Sequence, residues 1–181
     1  MQVAPHAHHR GFTLIESAMA MVIVATGVLA MVAAQQAWHQ QNAWAERSAI
    51  AARLGNEIRE MTFHIPRHDP VTGTATWGPE SNELGAGDFD DLDDFDGFTG
   101  TGLMLSGLDG TGPVNAMREI IPGMAQWTQT VRVRNIDPTN VNIDVADAAS
   151  DMMRVEVTID WHGPGAAGPI TVTRVDWIAP N

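Results

Sequence analysis

The sequence predicts an α+β fold in which a long N-terminal α-helix packs its second half on a small antiparallel β-sheet. Three observations carry that prediction. A largely apolar block fills residues 12–34, apolar residues then recur at helical spacing as far as Ile65, and the last third alternates apolar with polar residues. The chain divides accordingly into a polar leader (1–11), an apolar helical block (12–34) and its amphipathic continuation (35–66). A loop-rich segment (67–127) and a β-sheet region (128–181) follow.

The block from Phe12 to Ala34 has 23 residues, enough to cross a hydrocarbon core of about 30 Å. One charge, Glu16, lies near its start. A carboxylate at the membrane centre costs about 2.5–3.5 kcal/mol on insertion scales, so it calls for a partner. A secretory signal peptide cut after Val32-Ala33-Ala34 would need a 34-residue leader, and the usual length is about 15–30. A plain membrane anchor with Arg10 on the cytoplasmic side explains length and orientation. Neither explains Glu16.

The run Gly11-Phe12-Thr13-Leu14-Ile15-Glu16, heading this block, resembles the processing motif of type IV prepilins and pseudopilins. The resemblance implies that a membrane-embedded prepilin peptidase cuts between Gly11 and Phe12 and methylates the new amine of Phe12. It also implies that Glu16 attracts the N-terminal amine of a neighbouring subunit during assembly. A buried carboxylate paired with a buried ammonium avoids the penalty either would incur alone, and the pair fixes the axial register of adjacent helices. The implied partners are the prepilin peptidase, other pilin subunits through the N-terminal helix, and the inner membrane before assembly. The C-terminal domain is then periplasmic. Many major pilins carry a proline about twenty residues after the cut, whereas here the first proline after the leader is Pro66. This departure points to a minor pilin or a minor pseudopilin. His6, His8 and His9 in the leader are read as solvated polar residues.

Beyond Ala34, Ile50, Leu54, Ile58, Met61 and Ile65 recur at spacings of three and four, with Arg47, Arg53, Glu57, Arg59 and Glu60 off the stripe. This is an amphipathic helix with one buried face. The whole helix is expected from about Phe12 to Ile65, roughly 80 Å at 1.5 Å per residue, and Pro66 stops it. Gly55 weakens it by about 1 kcal/mol relative to Ala. Trp38 and Trp44, just past the apolar block, suit a membrane interface or contacts with neighbouring subunits.

Residues 66–112 are irregular, rich in Pro, Gly and Thr. Within them Asp88, Asp90, Asp91, Asp93, Asp94 and Asp96 alternate with Phe89, Leu92, Phe95 and Phe98, which recur every third residue. That spacing predicts a 3₁₀ or short α-helical turn fastened by its rings, with the aspartates facing solvent. Clustered carboxylates are suitable ligands for calcium, so these six aspartates are the candidate metal residues. An EF-hand is excluded, because Leu92 stands where the first ligand belongs and Leu103 where the closing Glu belongs. The segment also resembles, more weakly, one found in minor pilins of the MSHA (mannose-sensitive haemagglutinin) type.

The C-terminal third reads as strands. Gln129–Ile136 sets Val131 and Val133 against Arg132 and Arg134, and Met153–Trp161 alternates in the same way. Ile170–Ile178 is a third strand, joined to the second as a hairpin by the Gly/Pro loop 162–169. Residues 135–150 are expected to connect.

Composition narrows the function classes. The formal net charge is −12, and all ten basic residues are Arg. Phosphate backbones repel such a surface, which disfavours nucleic acids. Cysteine is absent, which excludes disulfide staples, thiol catalysis and thiolate metal sites. No nucleophile elbow, phosphate-cradling loop or zinc-binding helix occurs. His64 and His68 are separated by Pro66 and read as a surface pair without metal. The sequence therefore reads as a substrate of a processing enzyme, not as an enzyme. The leading function is a minor pilin of a type IV, MSHA-like pilus. The alternatives are a minor pseudopilin of type II secretion and a membrane-anchored exported domain that binds calcium or another ligand.

Overall fold

The computed structural model describes residues 13–73, 76–165 and 167–179. Its contacts divide the chain into two compact units, residues 1–45 and 46–181. One helix, α1 (Leu14–Thr62), contributes to both. It ends three residues short of the expected Ile65. Pro66 drives the residue before it out of the α region. The last turn is closed instead by the Thr62 hydroxyl, which donates to the carbonyls of Ile58 and Arg59.

In the second unit, five strands follow: β1 (Leu103–Ser106), β2 (Trp127–Asp137), β3 (Asn140–Asp144), β4 (Met153–Trp161) and β5 (Ile170–Ile178). All pairings are antiparallel, in the order β1-β2-β4-β5, and β3 pairs with the end of β2. Alternation in β2 and β4 is in phase. Val131 faces Val157, Val133 faces Val155 and Gln129 faces Ile159 across the ladder, and all six are fully buried. In-phase pairs of this kind pack a single apolar face, which is what fixes the register of a half-buried sheet.

That face receives the predicted stripe of α1. Leu54, Ile58 and Met61 are buried in the same cluster as the β2 and β4 valines, and Ala51 joins them. Gly55 brings the helix close to β5, since a Cβ there would lie 3.1 Å from Val175 Cγ2. Gln129 ties three elements together without any exposure to solvent. Its Nε2 donates to the carbonyls of Leu54 and Val114, and its Oε1 accepts from the Val114 amide at 2.8 Å. Fold class and helix stripe are as the sequence predicts.

The segment 135–150 is not only a connection. Asp137 accepts from the amide and hydroxyl of Thr139, a local turn that reverses the chain and lets β3 form. Arg134 and Arg154 then converge on Asp144 at 2.7 and 3.3 Å.

Candidate functional site

Two regions have unusual surfaces, and each is built by local chemistry. In the first unit, the opening turn of α1 is fastened by a reciprocal pair. The Thr13 amide and hydroxyl both donate to Glu16 Oε2 at 3.0 Å, and the Glu16 amide donates to Thr13 Oγ1 at 3.3 Å. This is a capping box: Thr13 is the N-cap and Glu16 returns to it from three residues on. The Thr-x-x-Glu spacing is visible in the sequence, so this role of Glu16 was open to sequence reasoning but was not read from it. Gly11 and Phe12 lie outside the described residues.

Past this turn the helix surface is apolar and exposed. Ile15, Val22, Ile23 and Leu29 are each more than 60% accessible. Hydroxyls on this surface are turned inward, Thr26 onto the carbonyls of Val22 and Ile23 and Ser17 onto that of Thr13. Backbone bonds of this type hide polar groups from hydrocarbon. By length and composition α1 can cross a membrane, with a mean hydropathy of 2.2 over its best stretch. Trp38 and Trp44 beyond it are also exposed.

In the second unit the acidic segment departs from its expected form. The predicted turn is present as a 3₁₀ helix, Asp93–Asp96, and Phe89, Leu92 and Phe95 are buried as the three-residue spacing implies. Phe89 meets Phe95 edge-on at 5.4 Å, whereas Phe98 is 61% exposed. The aspartates do not all face solvent: Asp91, Asp93, Asp94 and Asp96 are buried, and only Asp88 and Asp90 are exposed. The loop that precedes them covers the outer face. Pro66 accepts from the Leu92 amide at 2.9 Å, Trp77 donates to Asp96, and His68 Nδ1 stands 3.6 Å from Asp93 Oδ1. His68 is thus partly buried beside an acid, not half of a surface pair, while His64 is exposed.

The carboxylates are held by local bonds. Asp94 Oδ2 accepts from the amides of Asp90 and Asp91, and Asp91 Oδ1 accepts from the Asp94 amide. Burial dominates their protonation. It pushes Asp91 up to about 8, helped by a hydrogen bond and charge from Asp93. It raises Asp94 to about 7 against the lowering effect of the Asp91 amide, with the charges of Asp91 and Glu83 adding to the rise. Asp93 rises to about 6, and Asp96 is raised while the Trp77 bond opposes the shift.

Two carboxylate groups are tight enough to share an ion. One oxygen from each of Glu80, Glu83 and Asp94 lies within 4.8 Å of the other two, and the same holds for Asp90, Asp91 and Asp94. Glu80 and Glu83 were not among the sequence candidates. They lie outside the dense aspartate run, and only the fold brings them to it.

Residues 6–32 match the family model of the prokaryotic N-terminal methylation motif. The match spans Gly11, Phe12, Glu16 and the exposed apolar start of α1, and it supports a type IV pilin-like or pseudopilin-like prepilin. No curated protein and no solved structure matches the chain.

Proposed function

We propose that the chain is a minor pilin, a structural and assembly subunit of a type IV, MSHA-like pilus. The carrying observation is the methylation motif over residues 6–32 joined to a helix whose apolar first half has no buried residue. In this reading the subunit waits in the inner membrane as a single-pass protein with its C-terminal domain in the periplasm. Prepilin peptidase cuts after Gly11 and methylates Phe12, and the apolar helix then exchanges lipid for the helices of neighbouring subunits.

The capping box gives Glu16 a task at both stages. In the membrane, Thr13 supplies two hydrogen bonds to the carboxylate and the helix N-terminus favours its negative charge, which offsets part of the cost of burying it in lipid. In the filament the incoming amine of a neighbour's Phe12 adds the counter-charge. The motif points to a structural subunit that is the substrate of an enzyme.

Mass spectrometry of the mature N-terminus tests this reading. The expected product starts at methylated Phe12; a chain starting at Met1 or at Gln35 overturns it. Co-purification with sheared surface filaments is expected for a pilus subunit. Recovery only with a secretion apparatus would make the chain a minor pseudopilin instead.

A further inference from the structure

We propose that Glu80, Glu83 and Asp94 form a calcium site that fastens the stretch 76–83 to the acidic turn 91–96. Each offers an oxygen within 4.8 Å of the other two. Oxygens bound to one calcium at 2.3–2.6 Å can be at most about 5 Å apart, so the three can share an ion as they stand.

The second carboxylate group, Asp90 with Asp91 and Asp94, is accounted for by its own chain. Its short distances come from amide bonds within one turn. The Glu80–Glu83–Asp94 group joins two stretches of chain, and it leaves acceptors unused. Asp94 has no exposure, and its Oδ1 is buried with no hydrogen-bond partner among the described residues; Glu80 Oε2 is in the same condition. The other oxygens are committed: Asp94 Oδ2 to two amides, Glu80 Oε1 to the Thr72 hydroxyl and Glu83 Oε2 to the Glu80 amide. Those bonds aim the carboxylates and leave the remaining oxygens for something else.

That something carries positive charge. Arg53 pairs with Glu57, Arg134 and Arg154 with Asp144, and Arg174 with Glu156, so these four guanidinium groups serve other carboxylates. Buried carboxylates without a counter-charge are strongly unfavourable. A hard cation satisfies the unused oxygens and the charge together, and oxygen-only carboxylate ligands suit calcium. In a domain without cysteine such an ion takes the place of a disulfide staple, adding to the contacts of Leu92, Asp93 and Asp96 with Pro66, His68 and Trp77.

Titration calorimetry on the full chain in detergent micelles, with calcium chloride as the probe, tests the site. One calcium is expected to bind, with a dissociation constant no weaker than about 1 mM, the range of extracellular modules. Saturating calcium is expected to raise the melting temperature by about 5 °C, reversed by EDTA. Asp94→Asn and Glu80→Gln should each weaken binding at least tenfold, while Asp88→Asn, at an exposed position outside the site, should not. If Asp94→Asn fails to fold, Glu80→Gln at its half-buried position decides. The proposal is overturned by absence of binding up to about 10 mM, by binding that both variants leave unchanged, or by magnesium binding as tightly as calcium.

Discussion

The two units of this chain treat charge and apolar surface in opposite ways. The first exposes nearly all its apolar side chains and carries Glu16 at an open helix end, where two bonds from Thr13 hold it. The second encloses a core of apolar side chains that α1 and the sheet share, yet buries four aspartates. Each is incomplete alone, in a different sense. The first lacks an apolar environment and a counter-charge, which on the proposed function a membrane and then neighbouring subunits would supply. The second has its core, and what it lacks is compensation for buried carboxylate. The contrast separates residues that matter to assembly from residues that matter to stability.

The largest effect is expected at Glu16, and two substitutions there divide its roles. Glu16→Ala removes both the cap and the charge, while Glu16→Gln keeps a side chain that completes a capping box without the charge. If charge pairing with a neighbour's amine drives assembly, both variants are processed normally and both drop out of sheared filaments. Recovery of Glu16→Gln in filaments at wild-type level would assign the role of Glu16 to the cap alone.

Truncations along α1 come next. Ile58 is fully buried and Val24 is 64% exposed. Ile58→Ala should cost about 2–5 kcal/mol through lost burial and the cavity left behind. Val24→Ala should change the thermal unfolding of the micelle-bound subunit by less than about 0.5 kcal/mol and show its effect, if any, in filament recovery. Equal losses of stability at the two positions would remove the distinction between the units.

The buried aspartates give a pH dependence of definite sign. Asp91, Asp93 and Asp94 are raised from 3.8 to about 8, 6 and 7. Between those limits the folded chain holds protons that the unfolded chain has lost, so the stability they contribute is complete below pH 4. It falls as pH rises toward 8. Thermal unfolding in EDTA across that range should show the decline. With calcium bound at Glu80, Glu83 and Asp94, charge on the cluster is compensated and the decline should flatten. A stability that stays level or rises from pH 4 to 8 in EDTA would show that these groups do not hold their protons in the folded chain.

How much of this was legible follows from where the signal lies. The α1 stripe and the β2, β4 and β5 alternations are periodic, and periodicity reports which side of an element is buried. The Phe89–Leu92–Phe95 spacing was legible for the same reason. What failed was the inference that the other side of that turn meets solvent. A short turn can be covered by a loop with no period of its own, and Pro66, His68 and Trp77 reach it here. Glu80, Glu83 and His68 were missed because their relation to Asp93 and Asp94 is tertiary. β3 was missed because its five residues are all exposed and so record no burial pattern. Gln129 reads as one polar residue in phase with Val131 and Val133 until Leu54 and Val114 are placed beside it. The Thr13–Glu16 box is the exception, since its whole signal is local.

The smallest effect is expected where helix propensity and packing oppose each other. Gly55→Ala should gain about 1 kcal/mol of helix propensity, and α1 is otherwise regular there. Yet the new Cβ would stand 3.1 Å from Val175 Cγ2 on β5, tighter than an ordinary contact between carbons of about 3.5–4.0 Å. Val175 is only partly buried and sits on the outermost strand of the β1-β2-β4-β5 path, so it can yield by a few tenths of an ångström. The single variant should therefore change stability by less than about 1 kcal/mol. A double-mutant cycle with Val175→Ala separates the terms. With the methyls removed, Gly55→Ala should recover most of its helix gain, giving a coupling of at least about 0.5 kcal/mol between the two positions. Additivity within error would mean that the glycine is not what lets the helix approach the sheet, and that its side of α1 is as indifferent to bulk as the exposed apolar face of the first unit.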